Sequence, residues 1–594
     1  MESSATPVDT LAEAYLLALQ LRQSGDIRSA IEACRIILQA KPLQPETLLL
    51  LGVCHWQLGE LVQALAVLDL ALHVQPGWPD AHFNRGLVLR GLGRAEEAVA
   101  SYRRVIEANP CWAEAHDHLA NALLDLGRVS EAITAFKEAA RCDPGFVEAH
   151  FNLGHTLQEA GRLDEALSAY EEVITLQPDH SRALNNCGLV LLDMGRAEQA
   201  LASFDRAIAQ QPDHAKAYNN RGNALVKLRR IFEALESYEH ALSLDPSYAE
   251  AYYNRGNALQ EILRFDEAIA CYEQAEVLRP DYADAHWNEG LCRLVRGDFS
   301  AGWKKYEWRW KLRSNQSHSF NSGNQLTWSG VESLQGRTVL LYAEQGMGDT
   351  LQFCRYAARV AALGAKVLLE VQPSLKPLLG KLEGTLQVLA TGDERPPYDF
   401  SCSLLSLPGI FGTDLASIPG QVPYLQCDAA KRAHWETRLG RKTRKRVGLA
   451  WSGSPTHKRD DYRSIPLAMF RELLGFEDIE FISLQPEVRD TDNAVLRESN
   501  IRDVRSDIRD FSDTAALVSL LDLVICVDTS VAHLAGALGQ PVWILLPLLP
   551  DWRWLLDRED SPWYPTARLF RQTEESDWTP VVAQVVAELA ALLA

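Results

Sequence analysis

The sequence has little that marks a secreted, membrane-spanning or nucleic-acid-binding chain. Its eleven cysteines are scattered among 594 residues and form no C-x-x-C pair, which suits reduced thiols in a cytosol better than a disulfide framework. No apolar run approaches the roughly 20 residues that a membrane helix needs. The N-terminus shows neither a basic region nor an apolar core, so no signal peptide is expected. A formal charge of −20 argues against a general nucleic-acid binder. We therefore expect a folded, cytoplasmic protein.

A 34-residue period dominates the first half of the chain. Glycine, alanine and aromatic positions repeat in phase with a regular series of prolines. The prolines are Pro42, Pro76, Pro110, Pro144, Pro178, Pro212, Pro246 and Pro280. A fixed period of 34 is typical of tetratricopeptide repeats, each of which is one helix–turn–helix unit. The sequence therefore predicts an all-α solenoid over residues 1–313, with about eight repeats plus caps and an extended inner groove.

An asparagine occupies the same slot in the first helix of most repeats. The positions are Asn84, Asn152, Asn186, Asn220, Asn254 and Asn288. An amide side chain both donates and accepts hydrogen bonds, so this ladder can hold an extended peptide backbone at roughly 0.5–1.5 kcal/mol for each bond. The alternative is that the asparagines bond within or between neighbouring repeats and bind no ligand.

The pattern changes after a polar segment, Ser314 to Asn324, which indicates a linker over residues 314–330. Strands and helices then alternate, which predicts an α/β region of two Rossmann-like lobes. We place the first lobe at residues 331–435 and the second at residues 436–594. This two-lobed layout is that of GT-B glycosyltransferases.

Each lobe contains one strand–helix connection with candidate site residues. In the first lobe, a buried strand leads into Gly346, Gly348 and Asp349 and then into an amphipathic helix. In the second lobe, the apolar run from Leu523 to Val527 leads into a short helix, and the connection carries four candidate residues. These are Asp528, Thr529, Ser530 and His533.

The connection in the second lobe lies at the carboxyl end of a predicted parallel strand, where helix N–H groups favour an anion. It therefore predicts a site for a phosphorylated ligand. The alternative is an ordinary capped helix without a ligand. Arg463 lies in the polar loop that follows another predicted strand of the same lobe, where a cation can face a diphosphate.

The second half resembles the ADP-heptose:lipopolysaccharide heptosyltransferases of glycosyltransferase family 9. Two motifs carry the resemblance: Gly348-Asp349 followed by Thr-Leu-Gln, and the Asp-Thr-x-x-x-His-Leu-Ala segment from Asp528 to Ala535. The resemblance implies that Asp349 is the catalytic base. It also implies that a nucleotide-sugar donor is bound by Gly346, Gly348, Arg463, Asp528, Thr529, Ser530 and His533. Ser530 stands where the family usually has glycine.

The whole architecture resembles tetratricopeptide-containing protein glycosyltransferases, which include O-GlcNAc transferases and bacterial flagellin glycosyltransferases. The resemblance implies transfer of a sugar, with inversion, to an acceptor protein or peptide held by the asparagine groove, without a metal or other cofactor. Two alternatives remain. The acceptor can be a saccharide or lipid-linked glycan, with the repeats recruiting a partner, or the chain can be a non-catalytic scaffold. A homo-oligomer is also left open.

Two further features have competing interpretations. Asp490 and Asp492 form a D-x-D pattern, which binds metal in the other glycosyltransferase fold. It follows no buried strand directly, so we expect it at the surface. Trp552, Trp554 and Trp563 can stack on a base or sugar, or they can pack an interface between the lobes.

Overall fold

A computed structural model describes residues 7–312, 326–455, 460–574 and 576–593. Contacts divide the chain into two compact units, Met1–Pro246 and Ser247–Ala594. Most of the predicted linker, including Ser314 to Asn324, lies outside the described residues. Among the described residues, no helix has the length and apolar character needed to cross a membrane.

The first unit consists of paired antiparallel helices. They are α1 (Pro7–Gln23), α2 (Ile27–Ala40), α3 (Pro45–Gln57), α4 (Leu61–Val74), α5 (Pro79–Gly91), α6 (Ala95–Ala108), α7 (Ala113–Asp125), α8 (Val129–Cys142), α9 (Val147–Glu159), α10 (Leu163–Leu176), α11 (Ser181–Asp193), α12 (Ala197–Gln210), α13 (Ala215–Lys227) and α14 (Ile231–Leu244). The periodic prolines fall in the turns that follow even-numbered helices, where they stop the helix. The predicted helical repeats are therefore present.

The periodic glycines allow the two helices of a repeat to pack closely. A Cβ atom added to Gly222 would lie 2.5 Å from Cε1 of Tyr238, and Tyr238 is almost completely buried. The pair Gly188 and Phe204 has the same geometry in another repeat, also with a closest approach of 2.5 Å. The small and large positions that repeat in the sequence are thus the two sides of one contact.

The second unit begins with four helices of the same kind. They are α15 (Ala249–Glu261), α16 (Phe265–Leu278), α17 (Ala283–Val295) and α18 (Phe299–Tyr306), and a 3₁₀ turn at Glu307–Lys311 follows. The rest of this unit is built on two sheets.

The first sheet has five parallel strands in the order β1-β5-β2-β3-β4. The strands are β1 (Leu326–Thr327), β2 (Thr338–Tyr342), β3 (Lys366–Val371), β4 (Thr385–Ala390) and β5 (Phe400–Ser403). The helices among them are α19 (Met347–Phe353), α20 (Ala357–Ala362), α21 (Lys376–Leu379) and α22 (Leu407–Ile410), and α23 (Ala429–Leu439) leads to the second sheet. The predicted helix after Asp349 is therefore divided between α19, a short 3₁₀ turn and α20.

The second sheet also has five parallel strands, in the order β10-β9-β8-β6-β7. The strands are β6 (Lys445–Ala450), β7 (Ile479–Ser483), β8 (Leu523–Val527), β9 (Val542–Leu546) and β10 (Ala567–Arg571). The helices are α24 (Asp460–Arg463), α25 (Asn493–Glu498), α26 (Phe511–Val518), α27 (Ser530–Ala537) and α28 (Thr579–Leu593). The predicted strand from Leu523 to Val527 is reproduced residue for residue, because every one of its side chains is buried.

The D-x-D pattern is not wholly at the surface. Asp490 is exposed, but Asp492 is buried. Its carboxylate accepts hydrogen bonds from the indole N–H of Trp451 and the backbone N–H of Leu467, both at 3.0 Å. The expectation of a surface position was therefore wrong for Asp492, whose carboxylate ties two segments of the second sheet together.

The close glycine contact makes a prediction about stability. Gly222→Ala should destabilise the array by about 1–3 kcal/mol, because the new methyl group overlaps the Tyr238 ring in a packed interior. Gly77→Ala is the matched control, since nothing lies within 4 Å of the added Cβ there. Thermal unfolding of both variants should show a lower Tm for Gly222→Ala only. An equal effect in the two variants would contradict this account of the repeat contact.

Candidate functional site

Asp349 lies in the first turn of α19, just after the carboxyl end of β2. Its carboxylate accepts a hydrogen bond from the backbone N–H of Gly346 at 2.8 Å, which is the reciprocal contact of a capping box. Burial raises the pKa of Asp349, and the nearby charge of Arg553 opposes that rise. The carboxylate is thus held in a fixed position at the carboxyl end of the first sheet's central strand.

Arg553 joins the loops of the two sheets. Its guanidinium donates to the Asp349 carboxylate, to Oδ1 of Asp551 at 2.8 Å and to Oε1 of Gln352 at 2.7 Å. Burial lowers its pKa, but the carboxylates of Asp551 and Asp349 outweigh that effect and raise it. Arg553 therefore remains a cation, placed between the two lobes.

Arg553 was not among the residues predicted for the site. Its side chain is buried in a 3₁₀ turn between two tryptophans, and an arginine within such an apolar turn is the signal that was available. Nothing in the sequence indicates that its partner lies 204 positions away.

The residues predicted in the second lobe gather at the start of α27. Thr529 caps this helix, and its hydroxyl accepts a hydrogen bond from the N–H of Val531 at 3.3 Å. Ser530 is the first helical residue, and Asp528 directly follows β8. The predicted strand–helix connection is therefore present, with its helix N-terminus at the carboxyl end of a central strand of the sheet.

His533 is buried in α27 beneath aromatic rings. Its Nδ1 is hydrogen-bonded to the Tyr564 hydroxyl at 3.0 Å, and its ring stacks on Trp554 with 5.4 Å between centroids. Burial, followed by the charges of Arg553 and Arg355, lowers its pKa well below the usual value. His533 is thus a neutral imidazole at physiological pH.

Gly348 and His533 bring the two motifs into contact. A Cβ atom added to Gly348 would lie only 2.7 Å from Cδ2 of His533, so only glycine permits this approach of α19 to α27. Two motifs that are far apart in the sequence therefore meet in one place, together with Asp349 and Arg553.

Arg463 contacts the backbone of Asp528. One of its terminal nitrogens donates to the backbone carbonyl of Asp528 at 3.1 Å, and its Nε lies 3.4 Å from the Asp460 carboxylate. Burial and the charge of Asp551 raise the pKa of Asp528 to about 6, although Arg463 acts in the opposite direction. The structure therefore places a cation beside the carboxyl end of β8.

The tryptophans of the second lobe pack on the last helical repeat and on the first lobe. Trp552 meets Trp303 of α18 edge to face with 5.2 Å between centroids, and Trp563 meets Phe353 at 5.7 Å. Both Trp552 and Trp563 are buried. For Trp552 and Trp563, these contacts support packing at an interface. Trp554 instead stacks on His533 of its own lobe, so its role stays open.

A buried ion pair fixes the repeats of the second unit to the first sheet. Arg309, in the turn after α18, donates to Glu344 from Nε at 2.6 Å, and Glu344 follows β2. Another nitrogen of Arg309 donates to the Ser406 hydroxyl at 2.8 Å. Burial raises the pKa of Glu344 against the effect of Arg309. This pair therefore fixes the end of β2 through Glu344, which lies five residues before Asp349 in the chain.

The ladder asparagines are half-buried, and their amides have partners inside the protein. In the first unit Asn152 donates to the Asp117 carboxylate at 3.0 Å. Asn220 donates to the side-chain amide oxygen of Asn185 at 2.9 Å. Asn186 donates to the Tyr170 hydroxyl at 3.3 Å. Asn84 donates to a backbone carbonyl of its own helix at 2.8 Å. In the second unit Asn288 donates to Asn257 at 2.8 Å, and Asn254 also has a partner.

These bonds use part of each amide's capacity, since an amide has two N–H donors and an acceptor oxygen. The peptide groove therefore stays a prediction.

One cluster has the donors of a metal site but already contains a cation. Side-chain donor atoms of Glu276, His286 and Glu289 lie within 4.8 Å of one another. The ammonium of Lys305 contacts all three residues, at 2.9 Å from Nδ1 of His286 and 2.6 Å from Oε2 of Glu289. Lys305 thus supplies the positive charge that these two carboxylates need.

Comparison with known proteins supports the assignment of the repeats. Models of the tetratricopeptide repeat match residues 15–82, 71–111, 83–147, 118–181, 151–215, 203–236, 230–262 and 249–282. The N-terminal repeats are tetratricopeptide repeats.

One curated relative is similar to part of the chain. Protein FlbA of Caulobacter vibrioides is 26% identical over 320 residues, which span 50% of this chain and 53% of FlbA. The chain thus matches about half the length of this relative.

Several solved structures are also similar. The C-terminal part of a TPR repeat-containing protein from Cytophaga hutchinsonii has 15% identity and a TM-score of 0.35, and the match covers 40% of this chain and 97% of that one. PilF of Pseudomonas aeruginosa has 24% identity and a TM-score of 0.31, with coverage of 35% and 94%. YrrB, described as a TPR protein with an unusual peptide-binding site, has 21% identity and a TM-score of 0.28, with coverage of 32% and 96%.

The raised pKa of Asp528 predicts how stability changes with pH. Its pKa is about 6 in the folded chain and about 3.9 when unfolded. The contribution of this carboxyl group to the free energy of unfolding is therefore largest below about pH 4, and it is lost as the pH rises through about 6. At neutral pH the lost contribution amounts to about 3 kcal/mol. Asp528→Asn has no titrating group at this position and does not lose it. In thermal unfolding, the Tm of Asp528→Asn relative to the unmodified protein should rise between about pH 4 and pH 7.

Asp522 provides a control of opposite sign. Burial raises its pKa, but hydrogen bonds from Lys442 and from the N–H of Arg446 outweigh burial and lower it. Asp522→Asn should therefore lose most stability at neutral pH and least in acid. If both variants followed the same trend with pH, the account of Asp528 would be wrong.

Proposed function

We propose that the chain is a glycosyltransferase of the GT-B type that moves a sugar from a nucleotide-sugar donor to an acceptor protein. The contact between Gly348 and His533 is the observation that carries the proposal. It brings the Asp349 loop of one parallel sheet against the first helical turns that follow β8 of the other. Both loops leave the carboxyl end of a parallel strand, which is where open α/β sheets bind nucleotides.

The donor diphosphate would bind at the start of α27. Backbone N–H groups and the helix dipole favour an anion there, and the cations of Arg463 and Arg553 lie nearby. Because His533 is neutral, it contributes hydrogen bonding and shape rather than charge. These groups would stabilise the diphosphate that leaves when the glycosidic bond to it breaks.

Asp349 would act as the general base. A hydroxyl of the acceptor attacks the anomeric carbon of the sugar, and its proton passes to the Asp349 carboxylate. The raised pKa of this carboxyl group makes it a better proton acceptor than an exposed aspartate. Arg553 holds the carboxylate in place and keeps it charged before the reaction. Inversion at the anomeric carbon follows from the family resemblance.

The tetratricopeptide repeats would present the acceptor. Such arrays bind peptides or proteins along an extended surface, and the periodic asparagines line up along the first helices of the repeats. The ion pair between Arg309 and Glu344 connects the last repeat directly to the strand before Asp349. An acceptor that leaves the repeats at this end would therefore arrive close to the candidate base.

Replacing the base should separate turnover from donor binding. Asp349→Asn should reduce kcat by about 100-fold or more, while the donor affinity changes little, because Asn keeps the shape of the side chain. The rate of nucleotide release from UDP-, ADP-, GDP- and CMP-sugars measures this without a known acceptor, since water can replace it. Asp490→Asn is the matched control, because Asp490 is exposed. The same variant also tests whether the D-x-D pattern has a role in turnover. Full turnover by Asp349→Asn at saturating donor would refute the assignment.

A further inference from the structure

A cavity of about 860 Å³ lies between the last tetratricopeptide helix and the edge of the first sheet. Trp303 and Lys304 of α18 and Trp310 of the following turn form one side. The other side comes from the β1–β5 edge, including Trp328 and Ser401. The volume of the cavity falls in the range of roughly 300–1,000 Å³ that is typical of small-ligand sites. None of the donor-site residues lines it.

Aromatic rings from separate segments line this cavity: Trp310, Trp328, Tyr342 and Tyr398. The indole N–H of Trp328 donates to the backbone carbonyl of Glu332 at 3.2 Å, and the indole N–H of Trp303 donates to that of Thr413 at 2.8 Å. The polar edges of these two rings are therefore already satisfied. Both rings are also almost completely buried. The apolar ring surface that a ligand can reach therefore comes mainly from Trp310 and Tyr398, which are half-buried.

Hydroxyl groups also line the wall, and four of them already have partners: Ser329 with Glu332, Ser403 with the N–H of Leu405, Ser406 with Glu307, and Thr413 with Tyr356. Among the described residues of this wall, the hydroxyls of Thr327 and Ser401 are the ones left for a ligand. A hydroxyl both donates and accepts hydrogen bonds and rotates to suit its partner. A wall of rings and hydroxyls matches a ligand that has an apolar C–H face and a rim of hydroxyl groups. Sugar rings have this character.

Charge at the rim adds a preference. Glu307 and Asp414 line the cavity. Arg309 pairs with Glu307 at 2.6 Å, whereas Asp414 accepts a hydrogen bond from the neutral Ser417 hydroxyl at 2.6 Å and keeps its negative charge. Lys304 is exposed and makes no ion pair within residues 7–312, 326–455, 460–574 and 576–593. Its ammonium is thus available to a negatively charged group on the ligand.

We propose that this cavity is a binding site for a short acidic saccharide, with the sugar faces on the aromatic rings and the acid group on Lys304. Ser406 lines the cavity and also bonds to Arg309, which holds Glu344 at the end of β2. The site therefore lies at the same carboxyl edge of the first sheet as the Asp349 loop. This position makes a glycan on the acceptor the natural ligand, if the proposed transfer takes place. The binding itself does not depend on that reaction.

Saturation-transfer NMR on the full chain tests the proposal with two pairs of probes. The acidic probes are 3′-sialyllactose and a hyaluronan tetrasaccharide, and the neutral probes are lactose and diacetylchitobiose. We expect saturable binding that is stronger for the acidic probes. Trp310→Ala and Tyr398→Ala should each weaken binding by about tenfold or more. Lys304→Gln should reduce the affinity for the acidic probes to that for the neutral ones.

Trp308→Ala is the matched control. Trp308 lies in the same turn as Trp310 but stacks on His286 with 3.7 Å between centroids, away from the cavity. The Trp308→Ala variant should bind the probes as the unmodified protein does. Tm values close to that of the unmodified protein would show that the variants are folded. Two substitutions at different walls keep the test valid if one variant fails to fold.

Three results would overturn the proposal: no saturable binding of any probe, binding that survives both Trp310→Ala and Tyr398→Ala, or binding of the neutral probes that is as tight as that of the acidic ones. Because the readout is binding rather than turnover, these results are separate from a failure of the proposed transfer reaction. A chain that binds saccharide but releases no nucleotide would support this site and count against the transferase.

Discussion

The candidate site depends on the burial of one positive charge between two sheets. An arginine side chain removed from water is costly unless carboxylates and hydrogen bonds compensate it. Arg553 has both, because Asp551 comes from its own lobe and Asp349 comes from the other. Removing Arg553 would leave the half-buried carboxylates of Asp349 and Asp551 without this partner. The position of Asp349, and hence any role for it in catalysis, follows from this requirement.

Two further buried arginines make connections of the same kind. Arg309 ties the last tetratricopeptide helix to Glu344 at the end of β2. Arg355 donates to the Tyr424 hydroxyl at 2.7 Å and to the backbone carbonyl of Trp563 at 3.0 Å, so it spans both lobes. A guanidinium suits this task because its five N–H donors can reach several acceptors at once. Repeats and sheets are thus held by charged hydrogen bonds as well as by the aromatic packing around Trp552.

The structural features that could be predicted from the sequence are those that arise from a local pattern of residues. The 34-residue period identified the helical repeats, and the apolar run from Leu523 to Val527 identified β8 with its following helix. The two candidate motifs also proved to be neighbours, through Gly348 and His533. Contacts between distant segments were not predictable, and Arg553 and Glu344 were missed because their partners are set only by tertiary packing. Asp492 was misjudged for the same reason, since its burial comes from Trp451 and Leu467.

Calorimetric titration of the purified chain with UDP, ADP, GDP and CMP tests the donor site directly. One of these nucleotides should bind at a single site. Arg463→Gln should weaken that binding by about tenfold or more, since the cation beside β8 is lost. Arg497→Gln, which changes an exposed arginine of α25, should leave the affinity unchanged. No binding by any nucleotide, or equal affinity in all three proteins, would contradict a donor site at the start of α27.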